Sequence, residues 1–288
     1  MRISTEISSA ALLVGEERAV EVMAKAGFDC YDFSMIRMAK YSSAEGRFLF
    51  EDHPLHGPDY LKFARRVRSV ADSCGIPCNQ SHAPFPSHRD QVVPYLQRAI
   101  ECSAEVGAEI CVIHPKCFST AEENAEFYGT LLPFAKSCGV KIATENMWNW
   151  DKEKDEAFPC ACSTAEDFVA HVDAVNDPFL VACLDIGHAE MRGLGTNAVE
   201  MIHALGPDRL KALHIHDNDK WHDSHRLPFT MDIDFLPIVR ALKEIGYTGD
   251  FTLEVDHHLS EYGAERIEEG AKVMAQAVRK LADLFSAS

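Results

Sequence analysis

Two patterns of apolar residues alternate along this chain. Short runs of aliphatic and β-branched residues end abruptly in a histidine or a carboxylate, and longer stretches carry apolar residues every three or four positions. The short runs are RISTE ending at Glu6, CYDFS around Asp32, NQSH ending at His82, CVIH at His114, IATE at Glu145, ACLD at Asp185, LKALH at His214 and FTLE at Glu254. They read as strands. Between and after them the period predicts helices over residues 16–26, 59–74, 89–106, 121–138, 164–175, 197–205, 233–245 and 261–285. Gly27 and Gly139 stand where helices stop, and Ser163 or Thr164 would cap another.

Strands alternating with helices imply parallel strands joined by right-handed crossovers. Eight such units close naturally into an α/β (β/α)8 TIM barrel, and residues 1–288 are expected to form one such domain. No G-x-G-x-x-G follows the first strand, which argues against a dinucleotide-binding doubly wound sheet. Two segments break the rhythm. Residues 35–58 have no clear period and carry Phe48, Leu49, Phe50, His53 and His56, so they form a candidate lid. Residues 146–163 read as a loop holding Trp148, Trp150, Cys160 and Cys162.

Composition narrows the function. Hydrophobic residues make up 47% of the chain, yet no uninterrupted apolar stretch is long enough to span a bilayer. The opening residues lack the basic start and apolar stretch of a secretory signal, so a cytoplasmic protein with no membrane partner is expected. The ten cysteines are scattered and read as reduced thiols; Cys160 and Cys162 alone are a weak zinc signal. A net charge of −17 would repel a phosphate backbone, which disfavours nucleic acid as a partner.

The chemistry sits at the strand ends. Residues 210–219, LKALHIHDND, are an apolar run that breaks into His214, His216 and Asp217. Such groups are costly to bury unless a site needs them. In a barrel the carboxyl ends of all strands meet on one face. Glu145, Asp185, His214 and Glu254 would then surround one divalent metal ion, and carboxylates with one imidazole suit Mn2+, Mg2+, Co2+ or Zn2+. Each of the four alone would serve equally well in a salt bridge or as a hydrogen-bonded strand end. Trp148 and Trp150 follow Glu145 closely, and their rings would stack on a flat face of a substrate, or pack against the lid or a neighbouring subunit of a homo-oligomer.

The segments IATEN at 142–146, CLDIGHA at 183–189, LHIHDN at 213–218 and LEVD at 253–256 resemble the xylose isomerase-like TIM barrel superfamily. That group includes sugar phosphate isomerases and epimerases, ketose 3-epimerases, inosose dehydratases and endonuclease IV-type enzymes. The resemblance implies a carbohydrate isomerase or epimerase whose metal is held by Glu145, Asp185, His214 and Glu254. Glu145 and Glu254 would also be the catalytic bases, exchanging a proton through an enediolate that the metal stabilises. His188 matches a substrate-binding histidine, and His82, His114 and His225 are expected to join it against the hydroxyls of a small-molecule sugar; Arg226 is a further candidate. Relatives commonly carry a proline-glycine turn where this chain has Pro228 and Phe229. Three alternatives stand beside this reading: an endonuclease IV-type phosphodiesterase, with Asp223 among its extra ligands, an inosose dehydratase-like lyase, and a barrel that binds a sugar or partner without turning it over.

Overall fold

The computed structural model describes residues 1–42, 44–49 and 52–287. Within them, eight parallel strands form a ring in chain order: Ile3–Thr5, Tyr31–Ser34, Cys78–His82, Ile110–Val112, Lys141–Glu145, Leu180–Asp185, Leu210–His214 and Phe251–Leu253. The second to seventh make one continuous six-stranded sheet, and the first pairs with the eighth. Parallel bridges from Glu6 to Asp32 and from Ile215 to Leu253 close the ring on both sides of that pair. The expected TIM barrel is the fold.

Strand alternation divides the core in two. On the fifth strand Ile142 packs into the large apolar layer beneath the helices, whereas Ala143 belongs to a small cluster inside the barrel with Val112, Val181, Cys183 and Ala212. Thr144 turns outward to the Tyr128 hydroxyl at 2.8 Å. Glu145 therefore points inward and up, at the carboxyl end of the lumen.

Helices Glu16–Ala26 and Ala121–Cys138 coincide with their predicted bounds. The second begins with a capping box, in which the Thr120 hydroxyl accepts from the Glu123 amide and the Glu123 carboxylate accepts from the Thr120 amide. Thr164 rather than Ser163 caps helix Ala165–Val175. The last helix, Ile267–Ala287, starts later than predicted because residues 258–266 form two short 3-10 turns.

Among the described residues, several elements lie outside the predicted pattern. Helix Ser8–Val14 is a short apolar stretch with no polar face to give it a period. The candidate lid contains an antiparallel hairpin, Lys40–Ser42 with Arg47–Leu49; Phe50, counted with the lid, lies outside the described residues. The segment expected to be a loop after Glu145 holds a second hairpin, Trp148–Asp151 with Glu156–Pro159.

Candidate active site

Glu145, Asp185, His214 and Glu254 converge at the carboxyl face of the barrel. One ligand atom from each lies within 4.8 Å of every other. His214 stands in the middle, its Nδ1 2.9 Å from Glu145 Oε1 and 3.7 Å from Glu254 Oε2. Asp185 Oδ2 is buried and accepts no hydrogen bond, and Glu145 Oε2 has the ring nitrogens of His114 at 3.0 Å and His82 at 3.5 Å beside it. An anionic oxygen left bare inside protein is costly, and a divalent cation beside it removes that cost. The donor set fits such an ion.

Local folding explains how these groups are aimed. Asp185 ends the sixth strand and caps the short helix Ile186–Ala189, its Oδ1 accepting from the His188 amide at 2.7 Å. That turn swings His188 back over the barrel mouth. Asn146 ties the fifth and sixth strands together: its Nδ2 donates to the Asp185 carbonyl, its Oδ1 accepts from the Asp185 amide, and its own carbonyl accepts from His188 Nδ1 at 2.9 Å. Asn146, inside the IATEN motif, is thus a positioning residue that sequence reasoning quoted without giving it a task.

A second set of ligand atoms lies beside the first. His188, His216, Asp223 and His225 also offer one ligand atom each within 4.8 Å of one another. His216 Nε2 is 3.2 Å from Asp185 Oδ1 and 3.4 Å from Asp223 Oδ1, and neither ring nitrogen makes a hydrogen bond. Its ring stacks on His225 with centroids 4.0 Å apart. His225 holds a left-handed backbone, φ 43°, a conformation that side chains other than glycine seldom adopt and that collects at functional sites. This group could hold an ion as well.

The electrostatics follow from these neighbours. Burial pushes the Glu145 carboxyl up, but His214, His114 and His82 outweigh it and hold it well below the usual range. Burial likewise opposes ionisation of Asp185, and the imidazoles of His188 and His216 bring it down to about 2. Glu254 goes the other way: burial raises it against the pull of His214 and His225. Burial lowers His188, yet Asp185 and Asp223 raise it to about 10.

Above both groups lies a cavity of about 500 Å³, within the range of small-ligand sites. His82, His114, His188, His225 and Trp148, the residues expected to meet substrate, all line it. Trp148 reaches the wall from its hairpin, with its ring 6.3 Å from that of His188, and also packs on Met191 and Leu194. The lid segment contributes Ile36, Arg37 and Lys40.

Other expected positions turn out to be structural. Asp217 is buried and accepts from the amides of Asn218, Thr230, Met231 and Ile233, so it shapes the following loop instead of joining the site. Arg226 pairs with Glu261 at 3.0 Å on the exterior. Phe229, where a glycine was expected, adopts φ 69°, the conformation a glycine would favour, with Lys280 over its ring at 3.9 Å. The turn is kept with a different residue. Cys160 donates to the Cys117 carbonyl, and no candidate metal group among the described residues contains a cysteine.

A family model described as xylose isomerase-like TIM barrel matches residues 20–279. A protein of Methanocaldococcus jannaschii, described only as uncharacterised, is 27% identical over 191 residues, covering 60% of this chain and 62% of its own length. The chain therefore spans somewhat under two thirds of that relative. A crystal structure of a D-tagatose 3-epimerase-like protein superposes with a TM-score of 0.71 at 21% identity, covering 98% of this chain and 99% of its own. The IolI protein, crystallised with a zinc atom, superposes with a TM-score of 0.74 at 18% identity over 100% of this chain and 99% of its own. At such identities these structures establish the fold.

Proposed function

The chain belongs to the xylose isomerase-like TIM barrel family, and on that premise we propose that it is a metal-dependent isomerase or epimerase acting on a sugar or sugar phosphate. The observation that carries this reading is the placement of two carboxylates, Glu145 and Glu254, from different strands, both at Nδ1 of His214, in one four-residue group that opens into a cavity of sugar size. Glu145, Asp185, His214 and Glu254 would hold the ion. Its identity among Mn2+, Mg2+, Co2+ and Zn2+ is a matter for metal analysis.

When bound, the ion would polarise adjacent oxygens of the substrate and make the neighbouring C–H more acidic. The carboxylates move the proton. Glu254, whose basicity burial increases, and Glu145, kept ionised by its imidazoles, stand at the ends of the eighth and fifth strands respectively, so they face a substrate from different directions. One takes the proton and the other returns it. His82 and His114 flank Glu145, with His114 Nε2 3.0 Å from its Oε2, and would hydrogen-bond substrate hydroxyls there. His188 and His225 would do so beside Asp223, and the Trp148 indole would cover an apolar sugar face.

Deuterium uptake from heavy water into candidate ketoses tests the reading, because it reports proton exchange at carbon whatever the product. No uptake into any ketose by metal-loaded protein would count against it. The second ligand group favours one other reading, an endonuclease IV-type phosphodiesterase with several ions. Three metals per chain together with cleavage of abasic duplex would establish that instead.

A further inference from the structure

A directed chain of hydrogen bonds crosses the barrel lumen below the site and ends on His214. Ser4 Oγ donates to Asn79 Oδ1 at 2.7 Å, and Asn79 Nδ2 donates to Thr252 Oγ1 at 3.1 Å. Thr252 Oγ1 donates to Gln80 Oε1 at 3.3 Å, and Gln80 Nε2 donates to Asp32 Oδ2 at 2.9 Å. The same Asp32 oxygen lies 3.3 Å from His214 Nε2. Ser4, Asp32, Gln80, Thr252 and His214 are all buried, out of reach of water that would otherwise choose partners for them.

The direction of this chain is fixed at one end. Gln80 turns its amide nitrogen to the Asp32 carboxylate, which accepts, and its oxygen to Thr252. Thr252 then donates to Gln80 and accepts from Asn79, which leaves the Asn79 oxygen for Ser4. The second Gln80 hydrogen goes to the Leu213 carbonyl at 3.4 Å, so the amide cannot flip without losing both. The same carboxylate can meet His214 only through an N–H. Nε2 must therefore carry a proton, and Nδ1, facing Glu145 and Glu254, is the nitrogen left to give up its own.

We infer that Asp32 and Gln80 are positioning residues that fix His214 as an Nε2–H donor to Asp32 and so present Nδ1 to the four-residue metal group. The inference rests on that group being the metal site proposed above. A carboxylate behind a ligating imidazole both sets its tautomer and raises its basicity. Gln80 acts one step further back, donating to the Asp32 oxygen that faces Nε2.

Histidine labelled with 15N in the full-length protein reads the arrangement directly. In the metal-free protein Nε2 of His214 should carry a hydrogen-bonded proton, and on zinc addition the shift typical of a ligating nitrogen should appear at Nδ1. Asp32→Leu should weaken zinc binding by about 10- to 100-fold, measured against a competing chelator. Asp32→Asn, which keeps an acceptor oxygen, should retain the tautomer and recover part of that loss. Gln80→Met, similar in volume but without the donor, should weaken zinc binding while unfolding at a similar temperature. Zinc at Nε2, or unchanged affinity in both Asp32→Leu and Gln80→Met, would overturn the proposal. A wild-type chain that takes up no metal would overturn the functional reading instead, while the Nε2 proton in the metal-free protein would still report on Asp32.

Discussion

A Cβ placed on Gly187 would stand 1.9 Å from Cε1 of His216 and 2.3 Å from its Nε2. The glycine inside the DIGH element therefore makes room for an imidazole that follows the seventh strand, and that imidazole lies between Asp185 and Asp223. Gly187→Ala should cost about 1–3 kcal/mol of stability, as overpacking of a buried site does. The methyl should cost far less in a His216→Ala background. Urea unfolding of the two single variants and the double variant gives the coupling, and additive losses would show that the contact is relieved elsewhere.

Asp185→Ala should lose the bound metal. Its Oδ2 has no other partner and its Oδ1 serves the His188 amide, so the alanine removes a ligand and loosens the turn that follows. Elemental analysis of purified wild-type and variant protein is the measurement. Full metal content in the variant would reassign the ligand set.

His188→Ala should keep the ion of the first group and lose turnover. Its Nδ1 is engaged by the Asn146 carbonyl, while its Nε2 meets Asp223 at 3.3 Å at the edge of the cavity. Removing it should weaken transition-state binding by about 1–3 kcal/mol, the scale of a lost hydrogen bond in a buried site. Wild-type kcat/KM in the variant would take His188 out of substrate recognition.

Glu6 gives the fold a pH dependence in metal-free protein. Burial, then the charges of Asp256 and Asp32, raise its carboxyl from 4.5 to about 8. The folded state thus holds this proton more tightly than the unfolded chain does. Its stabilising contribution is complete below about pH 4.5 and is lost as pH rises through about 8. Glu6→Gln keeps an oxygen for Ser8 and removes the titration, so its stability should fall less than that of wild type across this window. Parallel pH profiles of unfolding for the two proteins would contradict the assignment.

How much of this was legible in the sequence depended on the range of each interaction. The barrel was readable because each strand is a local apolar run; Asp185 ends its strand opposite His214, and Glu145 ends its own opposite Cys183. Ser8–Val14 and the two hairpins were not, since a short apolar helix has no period and hairpin pairing depends on partners several residues away. Asp32 was read as the end of the second strand, which in fact runs on to Ser34, and its role appears only when His214, far along the chain, is brought against it. Asp217 misled for a related reason. A buried carboxylate beside two histidines looks like chemistry until the four amides it accepts are seen.

Substitution of the two bases bears on the mechanism itself. Glu145→Gln and Glu254→Gln nearly preserve shape and remove the carboxylate, so turnover should collapse by at least about 10²-fold in each, the low end for a positioned acid or base. The variants need not be equivalent. Glu145 sits among His214, His114 and His82, whereas Glu254 has His225 and His214 as its nearest cations. Each variant keeps the opposite base, and that base can still exchange a proton on its own side of the substrate. Deuterium wash-in by one variant with net conversion lost in both is therefore the expected pattern, provided metal analysis shows that both retain the ion. If either converts substrate at close to the wild-type rate, proton transfer by this pair is the wrong mechanism, and hydride transfer between adjacent carbons takes its place.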